Sequence, residues 1–74
     1  MKGDIVEIKG EKAKIIGEVG VFVEGRARPI LVQLFELIPS GILVVSRNGF
    51  AQGTFGNKAR AVEMFLQIIE DEAL

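Results

Sequence analysis

The chain has no cysteine and no histidine. Those two absences remove disulfides, thiolate nucleophiles and imidazole bases together. Tryptophan and tyrosine are missing too, so Phe supplies all five aromatic rings. Its hydroxyl side chains are Ser40, Ser46 and Thr54. Without His, a Ser nucleophile needs a Lys or an N-terminal amine as its base, and no such arrangement is visible. Asp4 with Glu7, and Glu18 with Glu24, stand at strand spacings. Nothing in the pattern marks a cleft that would shift their pKa values for acid–base work. Glu63, Glu70, Asp71 and Glu72 could offer oxygen ligands to a hard cation but lack the ordered loop spacing of an EF-hand. The expectation is no enzyme, no cofactor and no metal.

A strong charge of either sign is also lacking. The net charge of −1 contrasts with the basic excess by which duplex-binding proteins neutralise phosphates. No apolar run approaches the roughly 20 residues that span a bilayer. The opening Met1-Lys2-Gly3-Asp4 has no apolar signal-peptide stretch. A cytoplasmic protein without membrane contact is expected.

What is present is apolar surface. Hydrophobic residues make up 49% of 74 positions. A domain this small buries only about 60% of the surface of its unfolded chain, and neither disulfide nor Cys/His-bound metal can staple it. The apolar residues must hold the fold, in part through an oligomer or a complex. No repeat, linker or low-complexity segment divides residues 1–74, so one domain is expected.

Residues 4–8 alternate and are β-branched, as a strand requires. Lys9-Gly10-Glu11-Lys12 is a turn, its Gly able to take a positive φ, into a second strand over 13–16. Gly17 and Gly20 punctuate the strand-like stretch that follows. Their spacing is not that of a phosphate loop, which precedes a helix and ends in Gly-Lys-Ser/Thr. They read as a bulge or bend before a third strand over 19–24. Gly25-Arg26 turns into a fourth, where Pro29 is confined to an edge or entry position. Residues 30–38 fit both a helical and a strand face, an ambiguity that periodicity cannot resolve for short apolar runs. The favoured reading is a strand to about Gln33, a helical turn over 34–38, and a stop at Pro39-Ser40-Gly41.

Residues 42–46 form the clearest strand. Asn48-Gly49 follows, the strongest short hairpin signal because both turn residues need positive φ, and 50–55 returns. Asn57 caps a helix over about 58–72. Its apolar stripe, from Ala61 to Ile69, is wider than one core face requires. The helix is therefore clasped on two sides or packs on another molecule, including a second copy. Glu70, Asp71 and Glu72 oppose its dipole, which predicts fraying or a basic partner surface. The fold expected is mainly β: a small OB-like barrel of about five strands over residues 3–55, flanked by the helix. The alternative is a two-layer α+β sandwich built on the 42–55 hairpin and the helix.

Three segments carry a family resemblance. Gly3-Asp4-Ile5-Val6-Glu7-Ile8 is similar to the opening strand of the HypC/HupF-type hydrogenase maturation chaperones. Pro39-Ser40-Gly41-Ile42-Leu43-Val44-Val45 is similar to their Pro/Gly turn and next strand. Gly49-Phe50-Ala51, followed by an acidic amphipathic helix through Lys58-Ala59 and Glu63, resembles their Gly-Phe-Ala segment and helix. The resemblance runs nearly the whole length. It implies an OB-like barrel with a C-terminal helix that docks on a hydrogenase precursor or maturation scaffold. The departures are chemical. The family's N-terminal Cys is absent, with Lys2-Gly3 following Met1 directly. Its His before the Gly-Phe-Ala turn falls at about Arg47. Thiolate and imidazole ligate iron, whereas a guanidinium has no acceptor lone pair.

The functional expectation is a non-catalytic accessory protein that docks on a larger partner. Its contact residues would be Arg47, Asn48, Gly49 and Phe50 on the hairpin, with Phe65, Leu66 and Ile69 on the helix. Arg47 would orient the partner through charge-assisted hydrogen bonds. Phe50 would anchor in a pocket; the competing reading places Phe50 in the core. Two alternatives stand: a single-strand nucleic-acid module using Arg26, Arg28 and Arg47 with exposed Phe rings, disfavoured by the charge balance, and a self-associating structural protein. Elemental analysis of purified protein is expected to find no stoichiometric iron, zinc or nickel, and a stoichiometric metal would overturn this account of the missing ligands.

Overall fold

The structure is a computed structural model that describes residues 2–73, leaving Met1 and Leu74 of the expected 1–74 domain outside the described residues. Five strands precede one helix: β1 (Ile5–Ile8), β2 (Glu11–Val21), β3 (Ile30–Ile38), β4 (Leu43–Arg47), β5 (Phe50–Phe55) and α1 (Lys58–Ala73). The strands form one antiparallel sheet in the order β1-β2-β3-β4-β5. Two of its turns are two-residue hairpins with both residues at positive φ, Lys9-Gly10 and Asn48-Gly49. Such turns twist in the sense that matches the flanking strands.

The mainly β fold of five strands with a C-terminal helix is as expected, and two of the expected elements need correction. The sheet is an open meander with β1 and β5 as its edges. The open sheet with a helix across it corresponds to the two-layer alternative, although the helix spans β2 to β5 and not the hairpin alone. The expected second and third strands are one strand, β2, and the expected helical turn at 34–38 is the second half of β3.

A β-bulge between Ile15 and Gly17 shapes the core. Residues of one strand normally alternate faces with a period of two. At the bulge one residue is extra, so the alternation slips. Ala13 and Ile15 lie opposite Leu37 and Phe35, while Gly17, Val19 and Val21 lie opposite Leu34, Val32 and Ile30. Because β3 itself does not slip, the odd residues of β2 serve one face of the sheet before the bulge and the other face after it.

Two clusters result. The larger joins Val21, Ile30, Val32, Leu34, Leu43 and Val45 to Ala61 and Phe65 of α1. The smaller holds Ala13, Ile15, Phe35, Leu37 and Val44, with Val6 and Ile8 of β1 packed against it and no helical residue. It lies on the opposite face of the sheet. Fully burying a side chain of the size of Phe65 stabilises by about 1.5–3 kcal/mol. Opposite charges face each other on the solvated strand positions, Glu7 beside Lys12 and Lys14 beside Glu36, a favourable cross-strand arrangement. Among the described residues no helix is long and apolar enough to cross a membrane.

Gly17 lets the helix approach the sheet. A Cβ there would meet Cζ of Phe65 at 3.2 Å and Cβ of Leu34 at 3.4 Å, and both neighbours are buried. Gly17→Ala is expected to lower stability by about 1–3 kcal/mol through overpacking. Gly20→Ala, whose Cβ would meet only Pro29 at 3.5 Å and beyond, should change it little. Urea unfolding of the two variants beside the parent checks the contrast.

Candidate docking surface

The β4–β5 hairpin carries four of the seven residues expected to contact a partner, and the structure gives each a different task. Asn48 adopts φ 51° and Gly49 φ 85°. Asn tolerates this left-handed conformation better than most side chains. Asn48 also stitches the turn to the next strand. Its N–H donates to the Leu31 carbonyl at 2.7 Å, and its Oδ1 accepts from the Leu31 N–H at 2.8 Å. The turn is therefore held by β3 as well as by its own hairpin.

Arg47 is engaged inside the molecule. Its Nε–H donates to Oε1 of Glu72 in the last turn of α1, at 2.5 Å. That hydrogen bond, and then the attraction between the charges, pushes the guanidinium pKa further above its ordinary value. The expectation that the acidic helix end frays or awaits a basic partner is thus corrected for Glu72, because the basic group comes from β4. Arg47 is thus tied to the helix through Nε, while its side chain stays 36% exposed. Arg26 and Arg28 remain exposed in the β2–β3 connection.

Phe50 stands opposite Arg47 across the hairpin, on the side of the sheet that carries the helix. It is 74% exposed, so the competing reading of Phe50 as core is excluded. Gln52 folds back and donates to the Phe50 carbonyl at 3.0 Å. Phe22, directly after β2, is 84% exposed.

The helical trio divides. Asn57 caps α1 as expected, its Oδ1 accepting from the N–H groups of Ala59 at 2.8 Å and Arg60 at 3.3 Å. That start fixes the helical phase. Phe65 points into the core at 8% exposure, which corrects its assignment to a partner-facing surface. Its neighbour Leu66 is 56% exposed. Ile69 is half-buried and packs against the larger cluster. The width of the apolar stripe is explained by packing across four strands: Val62, Met64, Ile68 and Ile69 surround the buried pair Ala61 and Phe65.

Sequence reasoning missed an open groove of about 360 Å³ between β5 and α1. Phe55, Met64 and Ile68 form its apolar lining, and Arg60 and Asp71 mark its two ends along the helix. The signal was present in the spacing of the helical residues, but the groove needs β5 beside them. Among the described residues, no group of three or more carboxylates is placed to hold a metal ion. Ser46 is buried, and its hydroxyl has no hydrogen-bond partner.

No protein-family model, no curated protein and no solved structure matches this chain.

Asn48→Ala removes the bond to Leu31 and leaves a poorer left-handed residue in the turn. A loss of about 1–2 kcal/mol is expected from the lost hydrogen bond, which lies in an exposed turn where water can meet the freed Leu31 N–H, and from the added strain. Amide exchange should accelerate at Leu31 more than at Phe35, which checks that the loss is local.

Proposed function

We propose that this chain is a non-catalytic accessory protein that docks on a larger protein partner. The observation that carries the reading is Phe50: a large apolar ring, mostly in solvent, on a turn locked by Asn48 and beside a hairpin strand tied to α1 by Arg47 and Glu72. An exposed ring on a rigid support loses little conformational freedom on binding, and aromatic anchors in partner pockets dominate many interfaces. Leu66 is a second exposed apolar residue, presented by the helix.

The resemblance to the HypC/HupF-type chaperones gives the partner class: a hydrogenase precursor or its maturation scaffold, met in the cytoplasm. In that reading the chain keeps a docking scaffold and lacks the family's Cys and His. A closed, OB-like barrel belongs to the same proposal, as the resemblance implies it.

A photo-cross-linking side chain at position 50, in cells that make the partner, tests the reading. Adducts with a hydrogenase precursor or maturation scaffold, absent when the label sits at the exposed Glu11, are expected. Phe50→Ser should weaken capture of that partner about tenfold or more with no change in the unfolding midpoint. Adducts no different from those of the Glu11 control would overturn the proposal.

A further inference from the structure

The flank of α1 that faces the groove has an order of its own. Arg60, Met64, Gln67 and Asp71 follow one another at spacings of four, three and four. At 100° per residue they fall within about 60° of each other, as a straight seam on the helix. The same alternation of three and four builds helix–helix interfaces. The seam is also self-complementary when reversed. About a midpoint between residues 65 and 66, Arg60 falls opposite Asp71 and Met64 opposite Gln67.

We infer that this flank is the interface of a homodimer in which two α1 helices pack antiparallel, Arg60 of each copy paired with Asp71 of the other. A twofold interface joins the same patch to itself, which is what the reversed seam supplies. The two Arg–Asp pairs sit at the ends, about 16 Å apart along the axis, and Met64 and Gln67 fill the centre over the apolar lining of the groove. Arg60 makes no ion pair among the described residues. Asp71 accepts from Gln67 at 2.9 Å, and a carboxylate has further lone pairs for a guanidinium. Glu63, which also lines the groove, lies on the solvent side of the seam and stays hydrated at the rim.

The neighbouring edge leaves this flank open. β5 has no charged residue and no Pro, the devices that usually guard an exposed strand, although a bulge interrupts its pairing near Gln52. The dimer uses neither Phe50 nor Leu66. Leu66 lies well over 90° around the helix from the seam. The inference is therefore independent of the docking reading, and either can fail alone.

Sedimentation equilibrium on the full chain, from low concentration to about 100 μM, is the test. The parent should dimerise reversibly. Arg60→Asp and Asp71→Arg each place like charges at both ends of the seam and should weaken the dimer about tenfold or more. The doubly swapped R60D/D71R chain restores both pairs and should dimerise like the parent. All four residues are exposed or half-buried, and circular dichroism checks that every variant folds. A parent that stays monomeric over this range overturns the inference. So do a dimer indifferent to the single changes and a double variant that is not rescued.

Discussion

The contact between Phe65 and Gly17 is the constraint on which the architecture depends. A helix can lie against a sheet only as closely as the largest facing side chains allow, and here the largest ring meets a residue with no side chain. The bulge beside Gly17 turns that residue toward the helix in the first place. Without the slip, the odd positions of β2 would all face one way, and the helix-side cluster would lose Val21. The extra residue in β2 thus decides which apolar groups meet, and the short Gly56-Asn57 connection brings the helix back over them.

The same interior explains what the functional surface can contain. Arg47 is drawn from the hairpin to the helix, so the charge nearest the exposed Phe50 is balanced within the chain. Phe50 consequently presents apolar area beside a neutralised pair. This is a surface suited to desolvated protein contact more than to the phosphate backbone of a nucleic acid, whose binding is governed by uncompensated positive charge. The groove on the helix flank differs in kind, with one unpaired cation and one anion at its ends.

Much of this was legible in the chain. Asn48-Gly49 announced its hairpin because positive φ at two successive residues has a strong chemical signature, and Asn57 announced the helix start for a similar reason. The 34–38 segment misled because β3 is covered on both faces. Ile30, Val32 and Leu34 face the helix while Phe35 and Leu37 face the second cluster, so the strand shows a continuous apolar run in place of alternation. Gly17 was legible as an irregularity, but its effect on facing was not, since a bulge breaks the period by which facing is inferred. Phe65 and Leu66 are adjacent and equally apolar in the sequence. Helical phase relative to the sheet separates them, and no composition argument contains that phase. Arg47 and Glu72 lie 25 residues apart, and their meeting is a product of the tertiary fold that neither position signals in the sequence.

Strands β2, β3 and β4 each send side chains into both clusters, and β3, at the centre of the sheet, is the middle of their shared wall. Protein interiors are packed about as densely as organic crystals and resist compression. A displacement of β3 toward the helix must therefore squeeze one compartment while it opens the other. The two hydrophobic volumes act as opposed springs on a single partition. The resting position of the sheet is a balance of pressures from its two sides, and whatever swells or empties one compartment is felt, with reversed sign, in the other.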